Sequence, residues 1–112
     1  MNQKQNELFQ NVLDEVRGQL HDLLEGFIEY DYFESAQEML DGIKHVGAIQ
    51  ANIDGAIKRE DMKWVVDYMF GEDRDREDRY EATCEMFESV NATYELCTDS
   101  EVKELIDELF NM

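Results

Sequence analysis

Four acidic residues fall in two closely spaced pairs. Glu85-Met86-Phe87-Glu88 is followed by Glu104-Leu105-Ile106-Asp107. On helices, E-x-x-E and E-x-x-D each bring two carboxylates to one face. Metal patterns are incomplete. The EF-hand frame from Gln50 supplies Asn52, Asp54 and Gly55, but has Gln at its first position and Asp61 at its last. The frame from Asp73 runs through Asp75 and Glu77, then puts Asp78 in the glycine position and Cys84 at the end. The residues three before His21 and His45 are Gly18 and Gly42, so Glu-x-x-His, the di-iron signature, is absent. No Cys-x-x-Cys or His–Cys cluster suggests zinc. Cys84 has acidic neighbours, which raise a thiol pKa and make a poor nucleophile, so it reads as a small core residue. Neither a glycine-rich phosphate loop nor a nucleophile elbow occurs. No cofactor is called for.

The paired carboxylates Glu85, Glu88, Glu104 and Asp107 resemble the magnesium-binding pattern of all-α nucleoside triphosphate pyrophosphatases. That resemblance implies magnesium-dependent release of pyrophosphate from a nucleotide. It covers those four residues alone, and Cys84 stands where that family has another Glu. Glu104 and Asp107 also fall opposite the apolar positions of their own helix.

The elements that would carry these groups are helical. The 112 residues contain no proline and only six glycines, which is helical punctuation. In helix 1, about Asn6 to Tyr30, Phe9, Val12, Leu13, Val16, Leu20, Leu23, Leu24 and Phe27 recur at three and four. Asp31 with Glu34 predicts a capping-box-like start for helix 2, with Phe33, Ala36, Leu40 and Ile43 inward and Gly47 as its stop. Ile49, Ile53 and Ile57 favour a helix over 48–58, against Gly55. Helix 3 runs from Asp61 to Phe70 and Gly71 ends it. Its Met62, Trp64, Met69 and Phe70 are spread around the helix, placing it centrally in the bundle or half in a dimer contact. Helix 4 spans about Asp73 to Cys97, with Tyr80, Cys84, Phe87, Asn91 and Tyr94 on one face and a break near Asn91. Thr98 and Glu101 form a capping box for helix 5, whose Val102, Leu105, Ile106 and Leu109 point inward. The expected fold is all-α: a single domain over 1–112, a compact bundle of four to five helices with a long amphipathic N-terminal helix.

Charge dominates the rest of the sequence. Twenty-eight acidic residues against ten basic ones leave −18. Segment 80–112 alone carries −8, while bases concentrate in 58–79, where Arg74, Arg76 and Arg79 alternate with acids and predict local pairing. Glu7, Asp14, Glu15, Asp22, Glu25 and Glu29 occupy about a third of the helix 1 circumference. Glu81, Glu85, Glu88 and Glu95 form a row on helix 4, and Glu101, Glu104, Asp107 and Glu108 one on helix 5. A solvated face ordinarily mixes signs and gains from i,i+4 Glu–Lys pairs. These rows hold almost no bases, so something besides helix stability favours them. Carboxylates four residues apart are separated by about 6 Å, comparable to phosphates along a strand.

The expected function is binding without chemistry: an inhibitor or regulator that occupies the basic groove of a nucleic-acid-binding protein. Nucleases, restriction or CRISPR effectors and nucleoid proteins are the partner class. In size and charge the chain resembles small DNA-mimic proteins of phages and mobile elements. An immunity-type inhibitor of a basic toxin nuclease would share the charge but rely on aromatic anchors, for which Tyr30, Tyr32 and Phe33 at the helix 1–2 corner are candidates. The same charge disfavours direct contact with nucleic acid or anionic membranes, and it predicts stability that rises with salt. Self-association as a homodimer would add burial to a modest core. Two cysteines make no disulfide framework, and with no apolar run approaching a membrane span and a polar start, a reduced cytoplasmic setting is expected.

Overall fold

Five helices follow one another: α1 (Gln3–Glu29), α2 (Phe33–Ala51), α3 (Arg59–Phe70), α4 (Arg76–Tyr94) and α5 (Asp99–Phe110). The computed structural model describes residues 2–51, 58–71 and 75–111. The expected positions of Asn52, Ile53, Asp54, Gly55, Ile57, Asp73 and Arg74 lie outside the described residues. The bundle measures 44 × 33 × 25 Å, and α1, about 40 Å long at 1.5 Å per residue, sets its longest dimension.

The apolar stripes meet as their spacing requires. Leu8, Phe9, Val12, Leu13, Val16 and Leu20 of α1 are buried against Phe87 and Val90 of α4 and the inner face of α5. Phe9 and Phe87 meet edge to face at 5.6 Å, an arrangement ring quadrupoles favour. The α1 stripe leaves the core beyond Leu20. Leu23 and Ile28 are exposed and Leu24 and Phe27 half-buried. Phe33, expected inward, is 66% exposed. The last turns of α1 and the first of α2 therefore form a protruding hairpin tip.

Several boundaries differ from those expected, each for a local reason. Helix α1 starts at Gln3, because Asn2 and Gln5 make a reciprocal capping box: Asn2 Oδ1 accepts from the Gln5 N–H at 2.8 Å, and Gln5 Oε1 from the Asn2 N–H at 2.9 Å. Asp31 does not cap α2. It has φ 62° and terminates α1 as a left-handed C′ residue. Its N–H donates to the Ile28 carbonyl, the Tyr32 N–H reaches back to that of Phe27, and the Phe27 and Tyr32 rings pack at 6.4 Å. Gly47 does not stop α2, which continues to Ala51. Gly71, at φ 79°, ends α3 as expected. Helix α4 ends at Tyr94, where Glu95 turns left-handed at φ 51°. Buried Asn91 holds that turn, donating to the Cys97 carbonyl and accepting from its N–H, both at 2.8 Å. The Thr98–Glu101 capping box is present.

Helix α3 joins the α1–α2 hairpin through a ladder of rings. His45 and Trp64 lie 3.9 Å apart, and Trp64 stacks on Tyr68 at 5.0 Å. The Tyr68 hydroxyl donates to the Glu38 carbonyl at 3.2 Å. Gly42 is what permits this approach, since a Cβ there would sit 2.5 Å from the Tyr68 oxygen.

Arg76 and Arg79 do not pair along their own helix as expected. Arg79 bridges to Asp67 of α3 at 3.1 Å, while Arg76 donates to the Phe110 carbonyl and lies over its ring. They tie α4 to both neighbours.

Candidate binding surfaces

The acidic row of α1 stands on the side opposite its buried stripe. Asp14, Glu15, Asp22, Glu25 and Glu29 are exposed and Glu7 half-buried. None of the six forms an ion pair with a described residue. Asp14 accepts from the Gln50 amide at 2.7 Å, whose oxygen accepts from Arg17 at 3.0 Å, and Glu15 accepts from Gln19. From Glu7 to Glu29 the row extends about 33 Å along the helix.

The other two rows are less regular than their spacing suggests. Glu81, Glu85 and Glu88 are exposed on α4, but Glu95 lies past the helix end and leaves the row. On α5, Glu104 is exposed, while Glu101 is committed to its cap and accepts from the Asn2 amide at 2.8 Å. Those donors hold the Glu101 carboxyl below the usual range. Asp107, expected outward, is half-buried and accepts from the Tyr80 hydroxyl at 2.6 Å. That bond, with smaller contributions from burial and charge, pushes the Tyr80 phenol up to about 12. Glu108 is half-buried.

The α1 and α4 rows do not share the groove between their helices. A polar groove of about 520 Å³ runs between α1 and α4, lined by Asp14, Glu15 and Gln19 on one side and Ser89, Thr93 and Tyr94 on the other. Its carboxylates come from α1 alone. At 100° per residue, Glu81, Glu85 and Glu88 face away from Val90 and Thr93, hence away from α1.

The corner aromatics Tyr30 and Tyr32 are 69% and 61% exposed, and with Phe33 they crown the hairpin tip. Glu29, Asp31 and Glu34 stand among them, all exposed.

Among the described residues no three His, Cys, Asp or Glu side chains gather as a metal site, so Glu85, Glu88, Glu104 and Asp107 do not converge. Cys84 and Cys97 are free and half-buried. Burial, then the charges of Glu88 and Glu101 respectively, pushes their thiols up. No described helix is long and apolar enough to cross a membrane.

Sequence reasoning missed a second cavity, between α1, α2 and α3, walled by Trp64 and Tyr68 with Glu38 and Asp41 at its edge. Its local signal was present: Glu38, Asp41 and His45 share one face of α2, and Trp64 and Tyr68 are four apart on α3. Which faces would meet was not. Compared with protein-family models, with curated proteins and with solved structures, the chain matches none.

Proposed function

We propose that this protein acts by binding, without chemistry, as an inhibitor or regulator of a basic nucleic-acid-binding protein. The α1 row is the surface that would take the place of phosphates. Six carboxylates over about 33 Å is a little over half the charge density of one DNA strand, which carries one phosphate per roughly 3.4 Å. The carrying observation is that these groups lie along one helix face and none of them forms an ion pair with a described residue. A partner's Arg and Lys would pair with them, giving fast, salt-sensitive association. Because the α4 acids face away from α1, the α1 row carries the mimicry in this reading.

A pull-down with tagged protein at low salt tests it, with elution by duplex DNA. Basic nucleic-acid-binding proteins should be captured, released by DNA, and lost with Asp14→Asn/Asp22→Asn/Glu25→Gln/Glu29→Gln. Capture that survives those four changes, or that DNA cannot displace, rejects the reading.

The exposed corner supports a second one, a dedicated inhibitor of a basic toxin nuclease anchored by Tyr30, Tyr32 and Phe33. There Tyr30→Ala/Tyr32→Ala/Phe33→Ala would abolish binding, while neutralising the α1 row would mainly slow association.

A further inference from the structure

The cavity between α1, α2 and α3 has a volume of about 530 Å³, within the range of sites that enclose a ligand group. Leu20 and Leu23 of α1, His45 of α2 and the rings of Trp64 and Tyr68 of α3 line it. Glu38 and Asp41 flank it on α2, both exposed. Neither pairs with a described base; Asp41 accepts only a neutral amide, that of Gln37. The Tyr68 phenol is held above its ordinary value by burial and then by the charges of Glu38 and Asp41, so both carboxylates act on the ring wall.

We propose that this cavity receives an arginine side chain of the protein partner. The proposal rests on the reading of the chain as a binder of a basic protein, and it names the side chain such a partner inserts. Each part of the site matches a part of arginine. The apolar wall suits the methylene stem. Trp64 and Tyr68 already stack on each other, with His45 against the indole, so they bound the space for a flat, weakly hydrated guanidinium without offering it a stacking face. Two carboxylates on one helix face meet its forked N–H donors. A lysine ammonium is more strongly hydrated and presents no planar fork, and a neutral apolar side chain would leave both carboxylates without a counter-charge.

Trp64 is the only tryptophan, so its emission reports occupancy directly. The probes are acetyl-Ala-Arg-Ala-amide and its lysine and leucine counterparts, each titrated to about 20 mM at low salt. The arginine peptide should give a saturable change in Trp64 emission, with amide NMR shifts centred on α2 and α3 around the cavity. It should bind about fivefold or more tightly than the lysine peptide. Glu38→Gln/Asp41→Asn, which changes two exposed side chains, should weaken it about tenfold. Asp14→Asn/Glu29→Gln should leave it within about twofold. Four results would each overturn the assignment: no response to any peptide, equal binding of lysine, equal binding of leucine, or unchanged affinity in Glu38→Gln/Asp41→Asn. The titration needs no partner protein, so its failure is distinguishable from failure of the α1 pull-down.

Discussion

Replacing Gly42 by alanine should destabilise this protein, although the same change at Gly18 should stabilise it. Both glycines lie inside helices, where alanine is favoured by about 1 kcal/mol. A Cβ at Gly18 meets nothing within 4 Å, so the propensity gain stands nearly alone. At Gly42 the Cβ would lie 2.5 Å from the Tyr68 oxygen, 2.7 Å from Cζ and 3.0 Å from Cε1. Carbon atoms need about 3.5–4.0 Å, so the ring must retreat by about 1 Å. Retreat breaks the Tyr68–Glu38 hydrogen bond, worth about 1 kcal/mol. It also disturbs the Trp64 stack, worth about 1 kcal/mol, and leaves about 1 kcal/mol of overpacking strain. Against a gain of about 1 kcal/mol, the net loss is about 2 kcal/mol. Urea unfolding followed by circular dichroism measures both variants, and Trp64 emission reports the ladder. In a Tyr68→Ala background the obstacle is gone, so Gly42→Ala should become stabilising. If Gly42→Ala raises the midpoint in the wild-type background as Gly18→Ala does, the close packing of α3 on α2 is wrong.

Three further outcomes follow from particular contacts. Because the phenol of Tyr80 is raised from 10.0 to about 12 by its bond to Asp107, its stabilisation is complete below pH ~10 and lost as pH rises through 12. Absorbance titration should show two late tyrosines, Tyr68 and Tyr80, of which one is lost in Tyr80→Phe. Glu101 has the opposite sign: its depressed carboxyl contributes above the ordinary carboxylate range, and the contribution is lost as pH falls through the folded value. In carboxyl NMR, Asn2→Ala should move the Glu101 titration upward, and an unmoved one would remove the Asn2 donor as cause. Asn91→Ala removes both bonds to Cys97 from a buried site and should cost about 2 kcal/mol in chemical denaturation.

Features set by near neighbours were legible from the sequence. The stripe from Phe9 to Leu20, the glycine stop at Gly71 and the Thr98–Glu101 box depend on spacing and backbone chemistry within a turn or two. The Asn2–Gln5 box obeys the same rule in weaker residues, and the expected start at Asn6 passed over it. Features set by distant partners were not legible. Leu23 and Phe33 carry the periodicity of core residues, but whether another helix reaches them is a matter of lengths elsewhere in the chain. Asp107 is turned aside by Tyr80, 27 residues away, and Glu101 is claimed by Asn2 across 99. A helical wheel shows which way a carboxylate can point, not which donor arrives first. The candidate site is therefore legible as the α1 row and the corner aromatics, and illegible as the cavity, which needs three helices in place.

The contact of Asn2 and Gln5 with Glu101 has a kinetic consequence. Gln5 donates to the Glu101 backbone carbonyl while Asn2 holds its carboxylate, so the first turns of α1 and α5 are clasped across most of the chain. Hairpins α1–α2 and α4–α5 close over short loops and can form early, whereas this clasp closes the longest loop. Interactions made after the rate-limiting step slow escape from the folded state without speeding its formation. Removing the clasp with Gln5→Glu, which keeps the Oε1 acceptor of the α1 cap and loses the amide donor, should therefore raise the unfolding rate in stopped-flow measurements while the refolding rate barely changes. The clasp acts as a latch on the finished bundle.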